Sequence, residues 1–174
     1  MSWPPPVSVV AVVSVVFAAV VCDLRTRRLP NALTFGAAGV ALAVHGAVGG
    51  WLELAQAALG WGVGLALFLP LYALGGMGAG DVKLLGAIGA WLGPIGAVWT
   101  GLYGAIAGGV MALVVASGRG YLRTALGNVG SMLLAWFLVG PRPVKGLTLA
   151  DSGSIRLPYA VPLAAGALAT LWMH

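Results

Sequence analysis

The chain carries too little charge to be a water-soluble domain. Only 7% of its 174 residues are Asp, Glu, Lys or Arg, and 60% are apolar, whereas soluble domains carry roughly 25% charged residues. Cysteine occurs once, at Cys22, which excludes an internal disulfide and a CxxC zinc site. The apolar run before Cys22 has no basic start and ends on the bulky Val21. Neither a lipoprotein signal nor a cleaved signal peptide is therefore expected, and Cys22 reads as a small apolar filler. Histidine is limited to His45 and His174. With neither Cys clusters nor His near the acids, no transition-metal site is expected, and no cofactor is implied. Acids are scarce too: Asp23, Glu53, Asp81 and Asp151 are the whole set.

What is abundant is apolar sequence, with a mean hydropathy of +1.01 and several runs near the ~20 residues that cross a bilayer. The expected fold class is all-α: a polytopic membrane protein of about six transmembrane helices, forming a single unit over residues 1–174. The spans fall at 7–22, 32–48, 52–74, 82–92, from the Gly93-Pro94 break to 116, and 158–173. The 28 glycines read mainly as close-packing positions between membrane helices. No internal repeat, soluble domain or long linker is evident.

Segment 121–139 is polar in its first half, with Arg123, Asn128 and Ser131 before an apolar run. Charge decides how to read it. With six spans and the N-terminus outside, Arg25, Arg27, Arg28, Lys83, Arg119, Arg123, Arg142, Lys145 and Arg156 all lie on one side, which marks it as cytoplasmic. Trp3, Trp51 and Trp91 lie on the other, as an aromatic belt would place them. A seventh span would strand three of those cations outside. Segment 121–139 is therefore expected to be interfacial or re-entrant, before the last helix. The net charge of +5 is explained by topology, and nucleic acid is not an expected partner. The lipid bilayer is, and nothing in the sequence sets an oligomeric state.

Two of the four acids stand out. Asp23 ends the first span and Asp81 opens the fourth, so both face the cytoplasm. The eleven residues 82–92 make only about 16 Å of helix, against a hydrocarbon core of about 30 Å. Asp81 is thus either followed by a continuing helix or recessed in a polar pocket, where an ionisable group is a functional candidate. Two carboxyls held close share a proton. One then activates a water while the other donates to the scissile carbonyl, which is aspartic proteolysis. Asp81 also fits an N-cap, and Asp23 fits an interface partner of Arg25 or Arg27. Glu53, Asp151 and His45 read as structural. The glycines of Gly75-Gly76-Met77-Gly78-Ala79-Gly80 lack the strand–loop–helix setting of a phosphate loop. They suit backbone freedom and close approach beside Asp81. A proton-coupled transporter or assembly subunit using the same acids as a relay is the reading from a different class. It calls for acids near mid-membrane and for repeat symmetry.

Gly78-Ala79-Gly80-Asp81 matches the GxGD signature of membrane aspartic proteases. The longer run GMGAGDVKLLGAIGAWLG resembles the second motif of the type IV prepilin peptidases, and CDLRTRRLPNALT resembles their first. Leu157-Pro158-Tyr159-Ala160 opens the last helix as in many members. The resemblance covers almost the whole chain. It implies a catalytic pair, Asp23 and Asp81, in a six-helix membrane bundle of the inner membrane that cleaves a pilin-like precursor after a glycine at the cytoplasmic face. Gly78, Gly80, Lys83, Arg28, Pro30 and Asn31 are its supporting motif residues. Lys83 is either a topology charge or a group that biases the acids or holds their loop; Arg28, Pro30 and Asn31 shape the turn below Asp23, with substrate contact as the second reading. With a single cysteine, the chain is expected to be similar to the short peptidase-only forms found with Tad/Flp pili or archaeal preflagellins, with no methyltransferase domain. Presenilin-like and signal-peptide-peptidase-like proteases share GxGD, but their late Pro-Ala-Leu motif is here Leu-Pro-Tyr-Ala.

Overall fold

A computed structural model of the chain describes residues 5–140, 142 and 157–173. Lys145, Asp151 and Arg156 lie outside the described residues, as do Trp3 and His174. Those described form five helices and no strand: α1 (Pro6–Thr26), α2 (Asn31–Ala73), α3 (Ala79–Gly118), α4 (Leu122–Val139) and α5 (Ala160–Met173). The all-α expectation holds. Three of them, α1, α2 and α3, are long and apolar enough to cross a membrane.

Helix ends follow from local chemistry. Proline opens α1, where its missing N–H is no loss. Leu74, Gly75 and Gly76 close α2: the Gly76 N–H donates to the Leu71 carbonyl and the Gly75 N–H to that of Tyr72, both at 2.9 Å. Gly75 takes φ +77°, the left-handed turn this closure demands. Gly120, at φ +72°, ends α3 in the same way.

Two helices are far from straight. Gly93, inside α3, has φ 70° and ψ −179°, and Pro94 follows it. Leu85 and Gly101 would stand about 24 Å apart along an unbroken helix. Yet a Cβ on Gly101 would lie 3.3 Å from Leu85 Cδ2, so the chain doubles back at Gly93. Gly50, at φ 67° and ψ −159°, does the same for α2: His45 Nδ1 and Glu53 Oε2 are 3.3 Å apart, where helical rise alone would separate these residues by about 12 Å. The residues expected to form four spans between 32 and 116 thus lie in two helices, each folded back at a single glycine. Left-handed backbone costs glycine nothing, so one residue suffices for each reversal.

Small residues hold the bundle together. A Cβ on Gly64 would meet the Leu85 carbonyl oxygen at 2.6 Å, and one on Gly60 would run into the Gly89 carbonyl oxygen. The same close approach joins α5 to α3, where a Cβ on Gly166 would stand 2.6 Å from the Thr100 carbonyl oxygen. Around these seams Leu84, Leu85, Ile88, Leu92 and Leu163 are fully buried. Phe17, Val48, Trp51 and Trp172 are in contrast at least 71% exposed, the outward apolar surface that a lipid-facing bundle presents. Among the described elements α4 touches only α3. It is a full helix standing at the edge of the bundle.

Candidate active site

The last turn of α1 ends by chain reversal. Arg27 is left-handed, with φ 53° and ψ 28°, and its N–H donates to the Asp23 carbonyl oxygen. That closure brings Pro30 within four residues of the helix end to start α2. Asp23 itself is only 8% exposed. Its Oδ2 accepts the Ala160 backbone N–H at 3.2 Å. The first N–H groups of a helix have no partner within it, and α5 spends one of its own on this carboxyl.

Asp81 sits in the first turn of α3, half-buried. Its N–H donates to the Gly78 carbonyl oxygen at 3.2 Å. Each motif glycine has its own steric reason. A Cβ on Gly78 would stand 3.0 Å from Asp81 Oδ2, so the carboxyl folds back over a residue with no side chain. A Cβ on Gly80 would stand 2.9 Å from Leu29 Cβ, so the start of α3 lies directly against the connection after Asp23. Both have ordinary backbone angles; Gly75 supplies the left-handed turn of this run. Asp23 and Asp81 thereby come within reach of each other's charge.

Lys83 reaches across the same junction. Its Nζ donates to Asn31 Oδ1 at 2.9 Å and stands 5.2 Å from the centre of the Phe35 ring. Pro30 caps the N-terminus of α2. Arg28 is exposed, and its carbonyl oxygen accepts from the Thr26 hydroxyl at 3.0 Å.

In the sequence the motif at 157–160 shows only the opening of the last helix. Its contribution is larger: Ala160 holds Asp23, and Tyr159 lies within reach of the Asp81 charge. The Tyr159 ring packs edge-on against Phe68 at 6.2 Å and lies over Gly108, where a Cβ would meet its hydroxyl oxygen at 2.9 Å. Pro158 was the available signal, since a proline at a helix start marks where free N–H groups will point. His45 and Glu53 pair at the hairpin end of α2. They line a cavity of about 450 Å³ with Gln56 and Trp91, and neither Asp23 nor Asp81 is among its walls.

Residues 10–113 match the model of the type IV leader peptidase family, and the chain belongs to that family. It is similar to the prepilin leader peptidase/N-methyltransferases of Burkholderia pseudomallei strains 1026b and K96243. Each is 37% identical over 114 residues, covering 58% of this chain and 34% of the relative. The chain thus spans about a third of the length of the curated relatives it matches. No solved structure matches it.

Proposed function

We propose that the chain is an aspartic endopeptidase of the inner membrane that removes leaders from type IV pilin-like precursors at the cytoplasmic face. The observation that carries this reading is the placement of Asp23 and Asp81 at one junction, where the start of α3 lies against the connection after Asp23. They come from different helices and lie at one end of the bundle, within reach of each other's charge. Asp23, with the Ala160 N–H on Oδ2, is the carboxylate that takes a proton from a water. The water oxygen attacks the scissile carbonyl carbon, and Asp81 donates its proton to the carbonyl oxygen. The resulting gem-diol collapses as a proton passes to the amide nitrogen and the C–N bond breaks, leaving a new carboxyl and a new amine. A bond in a helix is shielded by its own hydrogen bonds, so the scissile stretch must be extended. A pair near one face reaches a bond just before an apolar helix begins, and the glycine of a pilin leader fits beside Gly78 and Gly80.

The reversals at Gly50 and Gly93 support six crossings: α1, the two arms of α2, the two arms of α3, and α5. With the N-terminus outside, the described ends at 24–30, 74–80 and 119–121 then share the cytoplasmic side, together with their cations. Helix α4, polar in its first half, lies along the interface.

Asp23→Asn and Asp81→Asn should each abolish removal of the leader from a co-expressed pilin precursor. Both variants should still insert in the membrane and melt like the wild type in detergent. Substantial turnover by either would sink the two-aspartate mechanism.

A further inference from the structure

We infer that Lys83 is a positioning residue: its bond to Asn31 latches the start of α3 onto the start of α2 and so sets the spacing between Asp81 and Asp23. This rests on the reading of those two acids as the reacting pair.

Three features carry the inference. Lys83 is two residues beyond Asp81, in the same opening stretch of α3. Its ammonium makes two contacts with one face of α2, the Asn31 Oδ1 at 2.9 Å and the Phe35 ring at 5.2 Å; these acceptors stand one helical turn apart. Asn31 in turn follows Asp23 by a short connection whose first residue, Arg27, is bonded back to the Asp23 carbonyl oxygen. The path from one carboxyl to the other through the latch is therefore short: it runs through the Lys83 and Asn31 side chains and a connection closed back onto Asp23. The Gly80–Leu29 contact bridges the same junction beside it, and that contact is apolar and has no direction. A hydrogen bond donated by an ammonium is charge-assisted and among the stronger ones, so it favours one register of α3 against α2.

The alternative is that the Lys83 charge acts directly on the acids or on the substrate. The two differ in what Asn31 does. Under the latch, Lys83→Met and Asn31→Ala break one interaction, so each should lower kcat for precursor cleavage by about 10²-fold, the cost of roughly 1 Å of misplacement. The double variant should be no worse than either single one. KM should stay within about twofold, since the latch does not touch the precursor, and Lys83→Arg should restore much of the rate. If Lys83 acts by charge alone, Asn31→Ala will cleave like the wild type, and that result overturns the latch. Losses that multiply in the double variant overturn it as well.

A second measurement needs no cleavage. Leu29→Cys, in a Cys22→Ala background, places a half-buried thiol against Gly80. Its alkylation in membranes should speed up at least severalfold when Lys83→Met is added. An unchanged rate overturns the inference even if no precursor is ever cut, so failure of the latch and failure of the peptidase reading remain distinguishable.

Discussion

Gly64→Ala tests whether the glycine seam between α2 and α3 fixes the position of Asp81. The added methyl would stand 2.6 Å from the Leu85 carbonyl oxygen and 2.8 Å from Gly86 Cα. Both are backbone atoms, so no side chain can swing aside. Relief requires α3 to move off α2 by roughly 0.8 Å, the shortfall from ordinary contact, because a close-packed interior has no void to take up the methyl. Leu85 lies one turn beyond Asp81, and a rigid helix carries that displacement to the carboxyl. Misplacing a reacting group by about 1 Å costs on the order of 10²-fold in rate, and overpacking costs about 1–3 kcal/mol of stability. The assay is leader removal by purified protein in liposomes, beside a thermal melt in detergent. Gly62→Ala is the control: its Cβ would meet nothing within 4 Å, and alanine is favoured over glycine in a helix by about 1 kcal/mol. It should cleave normally and melt no lower than the wild type. Normal cleavage by Gly64→Ala would refute the coupling of seam to site, and equal losses in both variants would refute the steric argument.

Gly166→Ala should lower the melting temperature, since its Cβ would press on the Thr100 carbonyl oxygen at 2.6 Å and overpacking costs about 1–3 kcal/mol; an unchanged melt would mean that α5 can shift freely on α3. Cysteines replacing Ala47, Gly120 and Arg142 one at a time, with Cys22→Ala, report sidedness: the first should label from outside and the other two only from the cytoplasm. Outside labelling at 142 would make α4 a membrane span. In the precursor, a bulky residue in place of the glycine before the cut should stop cleavage, while trimming the far end of the leader should matter little. A product cut several residues inside the apolar helix, read by mass spectrometry, would favour a presenilin-like protease instead.

The sequence exposed the acids and the breaks for different physical reasons. Asp23 and Asp81 were conspicuous because a carboxyl at the end of an apolar run is expensive and rarely accidental. Gly93-Pro94 announced a break through proline, and Gly49-Gly50 through a dip in hydropathy. The separate spans on either side of each break already implied a turn back; that a single left-handed glycine would make it was not legible, since composition records where a chain can bend and not by what backbone. Glycine abundance pointed to packing in general. Which helices meet at Gly60, Gly64 and Gly89 is a matter of tertiary register that periodicity does not encode. The Ala160 N–H on Asp23 was invisible because every residue except proline has that donor; only position selects it. Lys83 and Asn31 were each noticed, but their hydrogen bond joins two stretches that nothing local connects.

The site is assembled wholly from helix ends: the last turn of α1 and the first turns of α2, α3 and α5. A bilayer forces that arrangement. Within the hydrocarbon, backbone groups are used up inside the helices, and the free N–H groups lie only in the first turns. A membrane protein that must hold a carboxyl with a backbone donor has to bring a helix start to it, as α5 does for Asp23. The same ends are where glycine can remove side chains without weakening a helix interior, which Gly78 does beneath Asp81 and Gly80 does against Leu29. Packing and chemistry are thereby divided along the length of the bundle. The middle is held by small-residue seams, and the polar end is tuned by a few directional bonds. A substitution in the seam should move the acids as a rigid shift and lower stability with rate, as Gly64→Ala should. One at the ends, such as Lys83→Met, should lower rate with the melt left nearly unchanged. If the two kinds of variant cannot be separated by plotting rate against melting temperature, the division fails, and the bundle must be treated as a single coupled unit.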